Sequence, residues 1–236
     1  MSTLRGPRTL AFAFAASLVA TACSSGGSSA APTASPTVRA STTPAASPSA
    51  TALPLVQEGG APLGPGTYTT VFQPKITFTT NAAWVSYADS AGFVQFEQAD
   101  GSGGIGFTRI DKVFDPARAH KLMPVPNDYV GWIMTLPGVK VLAGPKAVAV
   151  DGVDGSEIDA TASKDAPTVY CKNPCVALWP LGPGEEPAAF RPGFVTRTVA
   201  LRIHGETVEI SLFSPRADFA ALAKAFDAMI PTIRFG

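Results

Sequence analysis

Histidine and cysteine are scarce in this chain, which has two of the first and three of the second in 236 residues. A structural zinc site takes about four nitrogen or sulfur ligands. His120 and His204 lie far apart in sequence, so a His/Cys metal centre is not expected. Charge is also sparse and balanced, with 18 basic and 18 acidic residues. No Lys/Arg cluster offers the electrostatic footprint of a nucleic-acid or anionic-lipid surface. Long apolar runs are missing too. The apolar stretch near the start, residues 10–22, falls well short of the ~20 apolar residues needed to span a bilayer.

What is present at the start reads as an export address. Arg5 and Arg8 precede the short apolar stretch, which ends in Ala20-Thr21-Ala22-Cys23. Small residues before a cysteine resemble the bacterial lipobox, in which the thiol receives diacylglycerol and the leader is then cleaved. Residues 1–22 are therefore expected to be a signal peptide, and Cys23 the lipid-bearing first residue of the mature chain. Losing Arg5 and Arg8 leaves the mature chain with 16 basic and 18 acidic residues, a net charge of −2. Two acyl chains anchor stably where one does not, since each buried methylene contributes about 0.8 kcal/mol. The expected location is the extracytoplasmic face of the cell membrane.

Residues 24–54 consist of Ser, Thr, Ala, Pro and Gly except for Val38, Arg39 and Leu53. Such a segment has no apolar face to offset its ordering entropy, so residues 23–54 read as a lipidated, disordered tether. As a coil it would average about 30 Å end to end. Aromatic and β-branched residues begin near Leu55, so residues 55–236 read as one globular domain. Beyond Cys23, Cys171 and Cys175 remain, separated by three residues. Outside the cytoplasm a leftover pair is most simply a disulfide. Closing so short a loop contributes only about 2 kcal/mol, so its role is to staple a turn.

Alternating apolar and polar residues predict strands at 66–72, 76–79, 84–87, 93–96, 105–110, 146–150, 155–161, 176–179, 199–203 and 207–213. Turns are expected at residues 89–92, at Asp151-Gly152 and at His204-Gly205. One helix is expected from Ser214 as N-cap and Pro215 as first helical residue. Its apolar stripe is Phe219, Leu222, Ala223, Phe226, Met229 and Ile230, and Pro231 stops it before a short strand at 232–235. A second helix is expected over 127–136, capped by Asn127, with Tyr129, Val130, Ile133 and Met134 as its stripe. The expected fold is α+β: a mainly antiparallel sheet packed with two or three helices, in a single domain behind the tether.

A recurring order of short motifs carries a resemblance. It runs through Leu63-Gly-Pro-Gly-Thr-Tyr68, Phe72-Gln-Pro74, Ile76-Thr-Phe78, Trp84 and the helix at 127–136. It closes with Gly205-Glu-Thr-Val208, Ser214-Pro-Arg-Ala-Asp-Phe219 and Ile233-Arg-Phe235. Over about residues 60–236 the chain resembles uncharacterised lipoproteins of high-GC bacteria. Its closing hairpin, helix and strand are similar to the PsbP-like α/β sandwich of photosystem extrinsic subunits. The resemblance implies a fold; it supplies no catalytic residue.

Several stretches carry residue types that could serve chemistry. His204 beside Gly205 and His120 in Arg-Ala-His-Lys read as a turn residue and a solvated residue, not as catalytic bases. Residues 151–159 are acidic but lack the ligand spacing of a calcium loop. Glu185-Glu186 lies in a Gly/Pro loop, and the glycine-rich residues 101–106 lack the helix that a phosphate cradle needs. The segment most suggestive of binding is the Pro/Gly loop that holds Trp179, Phe190 and Phe194. Those aromatics either rim a ligand site or fold back over the sheet. The expected function is a non-catalytic binding module, with no metal, no cofactor and no nucleic acid. Its partner would be a protein, a wall polymer or a hydrophobic small molecule. The alternatives are a hydrolase-type enzyme with a dispersed site, or an accessory subunit of an envelope complex. Cell fractionation tests the anchor: Cys23→Ala should leave the membrane fraction, and firm membrane association of that variant would contradict lipidation at Cys23.

Overall fold

Strand-forming alternation extends through most of the described chain because nearly every run has a partner in one large sheet. The computed structural model describes residues 51–55 and 61–236. The expected leader, Cys23 and most of the tether lie outside the described residues. In chain order come β1 (Leu53–Pro54), β2 (Ala61–Leu63), β3 (Gly66–Thr69), β4 (Ile76–Thr80), β5 (Trp84–Asp89), β6 (Phe93–Glu97), β7 (Gly104–Ile110), β8 (Lys112–Phe114) and β9 (Leu122–Pro124). Helix α1 (Tyr129–Thr135) follows, then β10 (Val139–Val150), β11 (Val153–Ala162), β12 (Val176–Trp179), β13 (Ala188–Phe190), β14 (Phe194–Ile203) and β15 (Glu206–Pro215). Helix α2 (Phe219–Met229), a 3-10 turn (Ile230–Thr232) and β16 (Arg234–Phe235) close the chain.

Eight strands form the main sheet, in the order β10-β11-β14-β15-β7-β6-β5-β2, with every neighbour antiparallel. Two of its hairpins turn on Asp151-Gly152 (φ 50° and 77°) and His204-Gly205 (φ 51° and 86°). Both central residues are left-handed, the geometry whose twist matches the flanking strands. His204 therefore sits where the turn needs a residue that tolerates positive φ, as the sequence suggests.

The sheet is covered on both faces over its middle strands, and β7, β11 and β14 divide their side chains between two cores. Val208, Ile210 and Leu212 of β15 point into the larger core. There they meet Leu222, Phe226 and Met229 of α2 and the small sheet β1-β3-β4-β16. Aromatic rings fill its centre: Phe78 stacks on Phe96 at 5.2 Å, and Trp84 meets Phe96 edge-on at 5.4 Å. The other face of the sheet carries the second core. Tyr129, Val130 and Ile133 of α1 pack there with Ile158 and Ala160 of β11 and with the β12–β13 hairpin. The Cys171–Cys175 disulfide is formed and buried, at the turn that leads into β12.

Local signals were overridden at identifiable places. Ser214 and Pro215 do not start a helix. They prolong β15, opposite Val195 and Phe194, and α2 begins four residues later at Phe219. Pairing with β14 outweighs a cap preference worth about 1 kcal/mol. Proline is tolerated because it ends the strand, beyond the last pair that β15 makes with β7. At α1 the cap is Asp128 rather than Asn127; its carboxylate accepts the Gly131 N–H at 2.8 Å. Met134, expected in the apolar stripe, is 39% exposed, because α1 turns only Tyr129, Val130 and Ile133 to the sheet. Leu53 and Pro54, assigned to the tether, pair with β3, and Leu55 is buried, so the fold starts earlier than composition suggests.

The two α1 positions separate cleanly in a stability test. Ile133→Ala removes a fully buried side chain and should cost about 2–5 kcal/mol. Met134→Ala should change stability by less than ~0.5 kcal/mol. Urea unfolding of the two variants checks this.

Candidate functional site

The three aromatics of the Pro/Gly loop do not form one rim. Trp179 ends β12 and Phe190 ends β13, and both are buried in the second core. Phe194 starts β14 and is 37% exposed, on a separate surface with Arg191 and Pro192. For Trp179 and Phe190 the loop thus folds back on the sheet. In doing so it roofs a small recess and leaves an open groove beside it.

Strand register sets the recess floor. One row across the sheet is Phe93 on β6, Thr108 on β7, Glu209 on β15 and Ala200 on β14. The adjacent row, two residues along each strand, is Gln95, Gly106, Ser211 and Thr198. All of these side chains leave the sheet on the face turned toward α1 and the β12–β13 hairpin. Gly106 keeps the floor open: a Cβ there would lie 3.3 Å from the Ser211 hydroxyl oxygen. The recess has a volume of about 160 Å³, and Phe93, Trp179, Phe190 and Phe213 contribute rings to its lining.

Glu209 is the unusual member. Its residue is only 3% exposed, and it lies on the central strand of the domain. Tyr129 of α1 donates its hydroxyl to Oε2 at 2.8 Å. Burial pushes the carboxyl up to about 7, while hydrogen bonding from Tyr129, Trp179 and Ser211 favours the charged form and opposes the rise. Burial, and then the neighbouring carboxylate, hold the Tyr129 hydroxyl well above its usual range. The Trp179 indole N–H is close enough to favour the carboxylate but makes no well-aligned hydrogen bond. It is buried without a partner, as is the Thr198 hydroxyl.

The groove outside the recess is larger, about 890 Å³. It runs over β5, β6 and β7, and its wall carries charges of both signs, among them Glu97, Arg109, Asp111, Lys112 and Glu185. Phe93, Gln95, Thr108, Trp179 and Leu181 line both spaces, so the groove and the recess adjoin. Gln95 donates to Glu97 at the boundary.

The acidic stretch at 151–159 is pinned elsewhere, on the opposite face. Arg197 bridges Asp159 at 2.7 Å, Glu157 at 3.2 Å and Asp227 of α2 at 2.6 Å. Lys146 adds a bond to Glu157 at 2.9 Å. Asp151 accepts the Phe235 N–H at 2.8 Å, fastening the last strand. These contacts hold strands and helix together. His120 is exposed, with its ring edge-on to Tyr170, and takes no part in the groove. Among the described residues, no three His, Cys, Asp or Glu side chains gather as a metal-binding group.

The pattern Thr-Val-Glu-Ile-Ser-Leu-Phe announces a strand and hides the role of Glu209. Its polar positions read as a solvent face, and only the packing of α1 and the β12–β13 hairpin shows that this face is covered. Tyr129 likewise reads as one more apolar-stripe residue.

Proton linkage gives a direct test. The native state holds the Glu209 proton more tightly than the unfolded chain does. The associated stability is complete below the ordinary value of 4.5 and is lost as pH rises through about 7. The burden at alkaline pH is about 3 kcal/mol. Glu209→Gln lacks that titration, so its stability relative to wild type should rise by about 3 kcal/mol between pH ~4 and pH ~8. Denaturant unfolding at the two pH values measures it; parallel behaviour of both proteins would refute the raised proton affinity. No model of a known protein family matches the chain, and no curated protein matches it.

Proposed function

We propose that this chain is an exported lipoprotein, held on the extracytoplasmic face of the membrane through Cys23, whose domain is a non-catalytic binding module for a small molecule. One observation carries the binding reading: an open groove leads to a recess that ends on a buried carboxylate with space beside it. Burying Glu209 costs stability at neutral pH, and the groups that hydrogen-bond toward it, Tyr129, Trp179 and Ser211, are all neutral. A ligand that meets the free lone pairs would recover part of that cost. The recess exceeds the ~15 Å³ needed by one water, so it admits a small chemical group, while the groove holds the rest of the molecule.

The export reading draws on the leader composition and the lipobox-like residues. The formed disulfide suits an oxidising compartment. Among the described residues no helix is long and apolar enough to cross a membrane, so attachment would rest on the lipid. The β14–β15 hairpin followed by α2 and β16 is the order expected of a PsbP-like sandwich, and we propose that finer fold as well.

A hydrolase reading has one observation in its favour. A carboxyl raised to about 7 is matched to acid–base work near neutrality. Glycosidase-type chemistry needs a second carboxyl facing the first. Here the nearest candidates, Glu97 and Glu185, line the outer groove and not the recess. Binding is therefore the better supported reading.

Native mass spectrometry of the lipidated protein, after mild detergent extraction, tests it. The wild type should carry a small-molecule mass that leaves on denaturation. Gly106→Val, which crowds the recess floor, should lose it. An empty wild type, or equal occupancy in both proteins, would count against the reading.

A further inference from the structure

We propose that the recess takes an alkylated ammonium head, with the remainder of the ligand lying along the groove; this rests on the binding reading above. Four aromatic side chains, Phe93, Trp179, Phe190 and Phe213, line the recess together with the Glu209 carboxyl. Ring faces carry partial negative charge and attract cations, most strongly when water is excluded. No Lys, Arg or His lines the recess, so no basic side chain there would repel a cation.

Buried carboxylates near Arg197 are supplied with cations. Glu157 and Asp159, also buried, have Arg197 against them, and Lys146 reaches Glu157. Among the described residues no basic side chain bridges Glu209; the groups that hydrogen-bond toward it are neutral, Tyr129 first among them. The protein therefore buries a carboxyl without supplying the cation, in the one place where a cavity adjoins it. A cationic ligand head would complete the pair.

One feature favours an alkylated head over a bare ammonium. Gln95, Thr108, Thr196, Glu209 and Ser211 supply polar atoms, but the rest of the recess lining is rings and aliphatic groups. Methyl groups make their contacts with rings and need no acceptor. The groove, with both acidic and basic residues on its wall, suits a polar tail.

The test uses choline and its uncharged carbon isostere, in which a quaternary carbon replaces the nitrogen, so that shape is constant and only charge differs. Ligand-observed NMR titration against the full-length wild type should find choline bound at least about tenfold more tightly than the isostere. In Glu209→Gln the two should come within about twofold of each other. The wild-type comparison needs no variant, so poor folding of Glu209→Gln would not spoil it. Equal binding of the two probes, or no binding of choline, would overturn the ammonium assignment. If native mass spectrometry still finds a retained molecule, only that assignment fails; if the wild type is empty, the binding reading fails with it.

Discussion

Burial of the Glu209 carboxyl beneath Tyr129 organises one whole side of this domain. The hydrogen bond joins residues 80 apart in sequence and ties α1 to the central strand of the main sheet. It sits where the cover of that sheet changes, from helix on one side to the β12–β13 hairpin on the other. Desolvating a carboxyl is costly, and a hydroxyl donor offsets only part of the cost. The site persists because the surrounding apolar contacts of the second core, among them Ile133, Ile158, Trp179 and Phe190, stabilise it by more than the carboxyl costs. The recess is the space left when those covers meet over a floor that includes a glycine.

The two faces of the sheet handle buried charge differently. On the α2 face, two carboxylates of β11 and Asp227 of α2 surround the Arg197 guanidinium, which gains proton affinity mainly through its hydrogen bonds to Asp159. In that network each carboxylate has a basic partner, and its role is structural, joining β11, β14 and α2. On the α1 face a single carboxyl is left with neutral donors, and its proton affinity rises through burial. Perturbed groups of the second kind, beside a cavity, mark sites more often than closed ion-pair networks do. Asp89 is also buried against a neutral donor, the Val71 N–H, but it lines neither the recess nor the groove; the combination of an unpaired carboxyl and a recess, rather than any motif, marks the candidate site.

Much of the fold was legible. The turns at Asp151-Gly152 and His204-Gly205 declare themselves because few residues accept two successive positive φ angles. The α2 stripe follows from helical period, and the helix gives way at Met229 to a 3-10 turn that holds Pro231, whose missing N–H cannot extend it. The disulfide follows from two leftover cysteines in a chain read as exported. Less legible were the elements whose existence depends on a distant partner. Strands β8, β9 and β13 are three residues long and carry too few positions for a period to register. Ser214-Pro215 looks like a helix start, and only its pairing with Val195 and Phe194 makes it a strand end. Trp179, Phe190 and Phe194 stand close in sequence, yet the fold buries the first two together and leaves Phe194 on a separate surface.

The sequence by itself determined the local alternatives: where the backbone could turn, which runs alternate with a period of two, and which cysteines remained to pair. It did so because steric limits on φ and the pleat of a strand act within a few residues. Tertiary structure alone decided which faces were wet. A glutamate in an alternating strand looks the same whether water or Tyr129 lies above it, and the difference comes from segments 20 to 80 residues away. The candidate site was invisible in the sequence for that reason: its chemistry depends on removing a carboxyl from water, and burial is a property of the packed chain.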